Sequence, residues 1–88
     1  MKGVYLIHFG QKYKHAQHYI GYASDIRKRI KRHYDGQGAR LIQVIQEHGM
    51  VWCVTKIWKG KTKEFEQTLK RHKKAWTHCP ICKMQQKL

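Results

Sequence analysis

Carboxylates are scarce in this chain. Five Asp and Glu stand against 19 Lys and Arg in 88 residues, a formal net charge of +14. So few acids exclude a site built from several convergent carboxylates. The surplus says nothing about fold, but it predicts a polyanionic partner, because lysine and arginine displace the condensed counterions of nucleic acid. An anionic membrane surface could use the same charge, yet no helix sets a wide apolar face against a basic one. Long apolar runs are missing too. No stretch reaches the roughly 20 residues that span a bilayer, and no signal-peptide pattern opens the chain. The three cysteines, an odd number, build no disulfide framework and fit a reducing, cytoplasmic setting. Repeats and low-complexity segments are absent. A single domain over residues 1–88 with a modest core is expected.

What is present alternates between strand and helix signals. Gly3 to Phe9 is β-branched and aromatic and reads as a strand. Gln11 to Gln17 is polar and reads as a hairpin loop with Lys12, Lys14 and His15 solvated; His18 to Tyr22 is the antiparallel return strand. A basic helix follows, capped by Asp25 and running to about Tyr34, with Ile26 and Ile30 inward and Gly36 as its stop. Ala39 to His48 is a second helix with Leu41, Ile42, Val44 and Ile45 as its buried stripe. Val51 to Trp58 is apolar on both alternating faces and therefore reads as a central strand. Thr62 to about Lys74 is a third helix, with Phe65 and Leu69 inward. The order ββααβα predicts an α/β (α+β) fold, a small three-stranded antiparallel sheet flanked by helices. Its core covers about residues 3–74, and residues 75–88 form a tail.

The basic helix carries the first chemical signal. Arg29 and His33 are i and i+4 and share a face, and Tyr19 lies just before a turn at Gly21. A phenol, a guanidinium and an imidazole at one end of a strand–helix unit can hold a phosphate and move a proton. Arg27, Lys28, Lys31 and Arg32 on the same helix are solvated or bind flanking phosphates. Only its register with Asp25 and His33 separates Arg29 from them. Glu66 lies at the edge of the Phe65/Leu69 stripe, and its spacing makes it a solvated glutamate paired with Lys70.

Three motifs in order carry a resemblance. Gly3-Val4-Tyr5 followed by Tyr19-Ile20-Gly21 resembles the paired triplets of the GIY-YIG nuclease superfamily. Asp25-Ile26-x-x-Arg29-x-x-x-His33 is similar to the family's helix, and Glu66-Gln67-Thr68-Leu69-Lys70 to its metal-binding glutamate segment. The element order matches as well, so the resemblance spans about residues 3–74. It implies an endonuclease that hydrolyses DNA phosphodiesters, with Tyr5, Tyr19, Arg29, His33 and Glu66 at the active site. Glu66 would hold one Mg2+ or Mn2+, whose remaining positions go to water and phosphate oxygens. Arg29 would neutralise the scissile phosphate, and either tyrosine would act as general base or orient the water. The family's excision-repair members carry lysine where Tyr22 stands here, so that support for phenol ionisation is missing. Arg27, Lys28, Lys31, Arg32 and Arg40 would bind nucleic acid, and Gly38 and Arg40 would shape the groove. Small members often pair a catalytic head with a separate recognition domain. A head alone would cut with little sequence preference, recognise a DNA structure or depend on a partner protein. The competing function is a non-catalytic DNA-binding module on the same basic face.

The tail carries Cys79-Pro80-Ile81-Cys82, half of a zinc site, with His72 and His78 as the available further ligands. The alternative is a turn packed on the third helix. Small bacterial and phage members of the family close on a similar Cys-Pro-x-Cys. Cys53 reads as a small buried apolar side chain.

Overall fold

A computed structural model describes residues 1–86. It contains β1 (Gly3–Tyr13), β2 (Ala16–Ala23), α1 (Ile26–Tyr34), α2 (Arg40–Glu47), β3 (Trp52–Lys59), α3 (Lys63–His72), a 3-10 turn (Ala75–His78) and α4 (Pro80–Gln86). The three strands form an antiparallel sheet in the order β2-β1-β3. The ββααβα order is thus present, with a further helix in the tail.

The central strand is β1, not β3. Every residue from Gly3 to Phe9 is buried, because helices cover both faces of β1. β3 lies at an edge, and its second apolar set faces outward: Ile57 is 43% exposed and Cys53 is exposed as well. Apolar character on both faces marked a strand correctly but misjudged its neighbours. The hairpin is also tighter than its composition suggests. β1 continues through polar Gln11 and Lys12 to Tyr13, which pairs with Ala16 across a turn at Lys14-His15. Ladder hydrogen bonds come from the backbone, so polar side chains do not end a strand.

Period-2 alternation divides the core into two layers. Tyr5, Ile7 and Phe9 pack with Ile26, Ile42, Ile45 and Trp52 under α1 and α2. Val4 and Leu6 pack with Ile20, Leu69 and Cys79 under α3 and the tail. Asp25 caps α1 by accepting from the Lys28 N–H at 3.3 Å. Among the described residues, no helix is long and apolar enough to cross a membrane.

Candidate active site

Tyr5 and Tyr19 project from adjacent strands on the α1/α2 side of the sheet, with ring centroids 6.2 Å apart. Gly21 lies opposite Tyr5 in the register. A Cβ at Gly21 would overlap the Tyr5 phenol, so this glycine makes room for the Tyr5 ring rather than for a turn. His33, in the last turn of α1, is 1% exposed. Its ring stands 5.8 Å from that of Tyr5 and 5.7 Å from that of Tyr19. Trp52 presses on it edge-on at 6.1 Å and is itself fixed by stacking on Tyr34 and by an indole N–H donated to Gln46 Oε1 at 2.9 Å.

The hydrogen bonds of His33 assign its tautomer. The Ala39 backbone N–H donates to Nδ1 at 3.3 Å, so Nδ1 is the acceptor. Nε2 then carries the proton and donates to Tyr5 Oη at 2.7 Å. Burial, then the nearby charge of Arg29, pushes the His33 imidazole from its usual value near 6.5 down to about 4. A neutral ring is what this bonding requires. The depressed pKa also makes His33 a source of acid lability. The unfolded chain takes up this proton at higher pH than the native one, so the contribution is complete above pH 6.5 and is lost as the pH falls toward about 4. A shift of that size corresponds to roughly 3 kcal/mol. NMR titration should show His33 protonating near pH 4. A midpoint near 6.5 would contradict the buried, neutral ring.

Arg29 is exposed on α1, yet its charge reaches Tyr5, Tyr19 and His33. Burial raises the pKa of Tyr5, and the neighbouring Tyr19 phenol raises it further; Arg29 opposes both. Burial also raises Tyr19, followed by the charge of Glu66, with Arg29 and the Tyr5 phenol pulling it down. Glu66 approaches from α3, 8% exposed. The pairing with Lys70 expected from i,i+4 spacing is present at 3.7 Å. Burial, however, separates Glu66 from an ordinary surface glutamate. Glu64, two residues away, is exposed. Four elements therefore bring Tyr5, Tyr19, Arg29, His33 and Glu66 to one region.

The other candidates divide. Arg27, Lys28, Lys31, Arg32 and Arg40 are all exposed on α1 and at the start of α2. Gly38 packs directly on the His33 ring, where a Cβ would overlap Nδ1. It therefore holds the imidazole and is no mere groove residue. A groove of about 770 Å³ runs along the β2 edge, with Tyr19, Lys12, Lys70, Lys73 and Trp76 among its lining. Sequence reasoning missed it because Lys12 lies in β1, far along the chain from Lys70 and Lys73 at the end of α3. Cys79 and Cys82 meet His8 and His18. His72 ends α3 in solvent, and His78 packs edge-on against Trp58 at 5.6 Å. Cys53 is exposed on the edge strand, against expectation.

Two phenols from neighbouring strands, an arginine and a buried histidine one helical turn apart, and a carboxylate from a later helix meet within a small α+β domain. The GIY-YIG catalytic domain family matches residues 1–79, and the chain belongs to this family. No match is found among curated proteins or solved structures. The family membership points to a nuclease.

Proposed function

We propose that this protein is a metal-dependent endonuclease that hydrolyses DNA phosphodiesters. The observation that carries the reading is the Tyr5–His33 hydrogen bond, under the charge of Arg29, with the buried Glu66 beside Tyr19. Arg29 is exposed and free to close on a scissile phosphate, where its planar fork matches two phosphate oxygens. A water attacks phosphorus, the bond to the leaving oxygen breaks, and the water's proton passes to a phenolate of the Tyr5/Tyr19 pair. The His33 Nε2–H bond to Tyr5 Oη stabilises negative charge on that oxygen. Because burial raises both phenols, ionisation depends on the cations around them.

The donor set suits a hard divalent ion. Glu66 is a buried carboxylate whose cationic neighbour, Lys70, stands no closer than 3.7 Å. Glu66 would hold Mg2+ or Mn2+, an ion that binds through few protein carboxylates and would leave room for water and phosphate. When bound, the ion supplies charge neutralisation at the leaving oxygen. Exposed Arg27, Lys28, Lys31, Arg32 and Arg40 hold the flanking DNA backbone, and the lysine-lined groove beside Tyr19 offers a path for one strand.

Glu66 also weighs against a module that only binds. A buried carboxylate beside the phosphate path repels a polyanion, and pure binding has no use for it. The test is a cleavage panel of single-stranded, duplex, flapped and four-way DNA with Mg2+, Mn2+ or EDTA. Cleavage of at least one form, abolished by EDTA, is expected. Salt-sensitive binding with no cleavage of any form would establish the binding module instead.

A further inference from the structure

On the face of the sheet away from Tyr5, four side chains converge from distant parts of the chain. His8 in β1 and His18 in β2 are directly opposed in the register, so their rings share one face. Cys79 and Cys82 arrive from the end of the 3-10 turn and the first turn of α4. The ligand atoms of all four lie within 4.8 Å of one another.

The separations have the dimensions of a coordination shell. His8 Nδ1 and His18 Nε2 are 3.3 Å apart. Cys79 Sγ is 3.4 Å from His8 Nδ1, and Cys82 Sγ is 3.6 Å from His8 Nδ1 and 3.3 Å from His18 Nε2. A tetrahedral ion with Zn–N of about 2.0–2.1 Å and Zn–S of about 2.3 Å sets N···N edges near ~3.3 Å and N···S edges near ~3.6 Å. Hydrogen bonding alone does not account for the cluster, because thiols are weak donors and weak acceptors. Cys79 is fully buried and His8 is 6% exposed, while His18 and Cys82 are half-buried at the wall of the β2-edge groove.

We propose that His8 Nδ1, His18 Nε2, Cys79 Sγ and Cys82 Sγ form a structural zinc site that clamps the tail to the β1–β2 hairpin. Two thiolates and two imidazoles in a tetrahedron select zinc over hard ions. They also neutralise its charge, which suits a buried position. With four protein ligands the ion keeps no open position and takes no part in hydrolysis. The clamp holds the segment carrying Ala75, Trp76 and Cys82, which forms a wall of the β2-edge groove. This site is separate from the Glu66 site, and the proposal does not rest on nuclease activity.

The test uses the full chain. Protein purified without added metal should hold one zinc per chain by elemental analysis. Replacement by Co2+ should give the intense visible bands and thiolate charge transfer of tetrahedral S2N2 cobalt. Chelation should lower the melting temperature by at least about 10 °C, restored by stoichiometric zinc, as a ligand that is folding free energy requires in a domain of this size. Cys82→Ser should lose the charge-transfer band, whereas Cys53→Ser, at an exposed cysteine, should keep it. Should Cys82→Ser fail to fold, the wild-type cobalt spectrum decides by itself. A zinc-free protein, an octahedral cobalt spectrum, loss of the band in Cys53→Ser, or a Cys79–Cys82 disulfide in place of metal would each overturn the proposal.

Discussion

Glu66→Gln is expected to leave the fold and DNA affinity intact while lowering metal-supported cleavage about a thousand-fold or more. The substitution keeps side-chain shape and removes one negative charge. Its stability effect should be small, since the lost partner is Lys70 at 3.7 Å on an exposed helix flank. Affinity should hold or rise, because a buried anion beside the phosphate path has become neutral. Catalysis should fall steeply. Preorganised charge at a transition state is worth roughly 3–4 kcal/mol per group, and an ion lost with its carboxylate takes its own stabilisation as well. Single-turnover cleavage over a Mg2+ titration, beside binding in EDTA, measures both quantities on one sample. Cleavage within tenfold of wild type at saturating Mg2+ would remove Glu66 from the metal role. The burial of Glu66 sets it apart from Glu64, whose exposed side chain predicts no loss on the same change.

The legibility of this site followed the range of its contacts. Arg29 and His33 were legible because helical geometry places i and i+4 together whatever surrounds them. Tyr5 and Tyr19 share a face through strand alternation and a hairpin, which is also local. Glu66 was different. Its pairing with Lys70 was readable and correct, yet it pointed to a solvated residue. The burial that distinguishes it is created by β1 and β2, more than forty residues earlier. The zinc ligands show the sharper failure. Cys79-x-x-Cys82 announces itself by spacing. His8 and His18 become partners only when the hairpin register is known, and reading Gln11 to Gln17 as a loop left the register open. The turn at Lys14-His15 pairs Tyr13 with Ala16, and a register shift between His8 and Tyr13 then brings His8 opposite His18. His72 and His78, nearer in sequence, were the natural choice and face elsewhere. The same lack of neighbours misplaced β3. Apolar alternation reports what a strand can bury, but β1 has helices on both sides and β3 is left at the edge.

Two glycines after α1 separate a role in stability from one in the site. Gly36 has φ +77 and open space around its Cα, whereas Gly38 has no such backbone demand but lies against the His33 ring. Gly36→Ala should cost about 1 kcal/mol through the left-handed backbone and leave cleavage unchanged. Gly38→Ala should act on the imidazole. Its methyl must displace His33 Nδ1 or push the loop outward, and either movement breaks the Ala39 N–H bond that makes Nδ1 the acceptor. Overpacking of this kind costs roughly 1–3 kcal/mol. With the tautomer released, Nε2–H no longer donates to Tyr5 by constraint, and cleavage should fall by about ten- to a hundred-fold, the range of a lost supporting contact at a site. A spectroscopic readout distinguishes this from simple destabilisation: water reaching the ring should raise the His33 pKa from about 4 toward its ordinary value. The losses from Gly38→Ala and His33→Gln should also fail to add in a double-mutant cycle, because both act through one imidazole. Additive losses, or an unmoved His33 titration in Gly38→Ala, would reduce Gly38 to a packing residue and leave the orientation of His33 to Trp52 and α1.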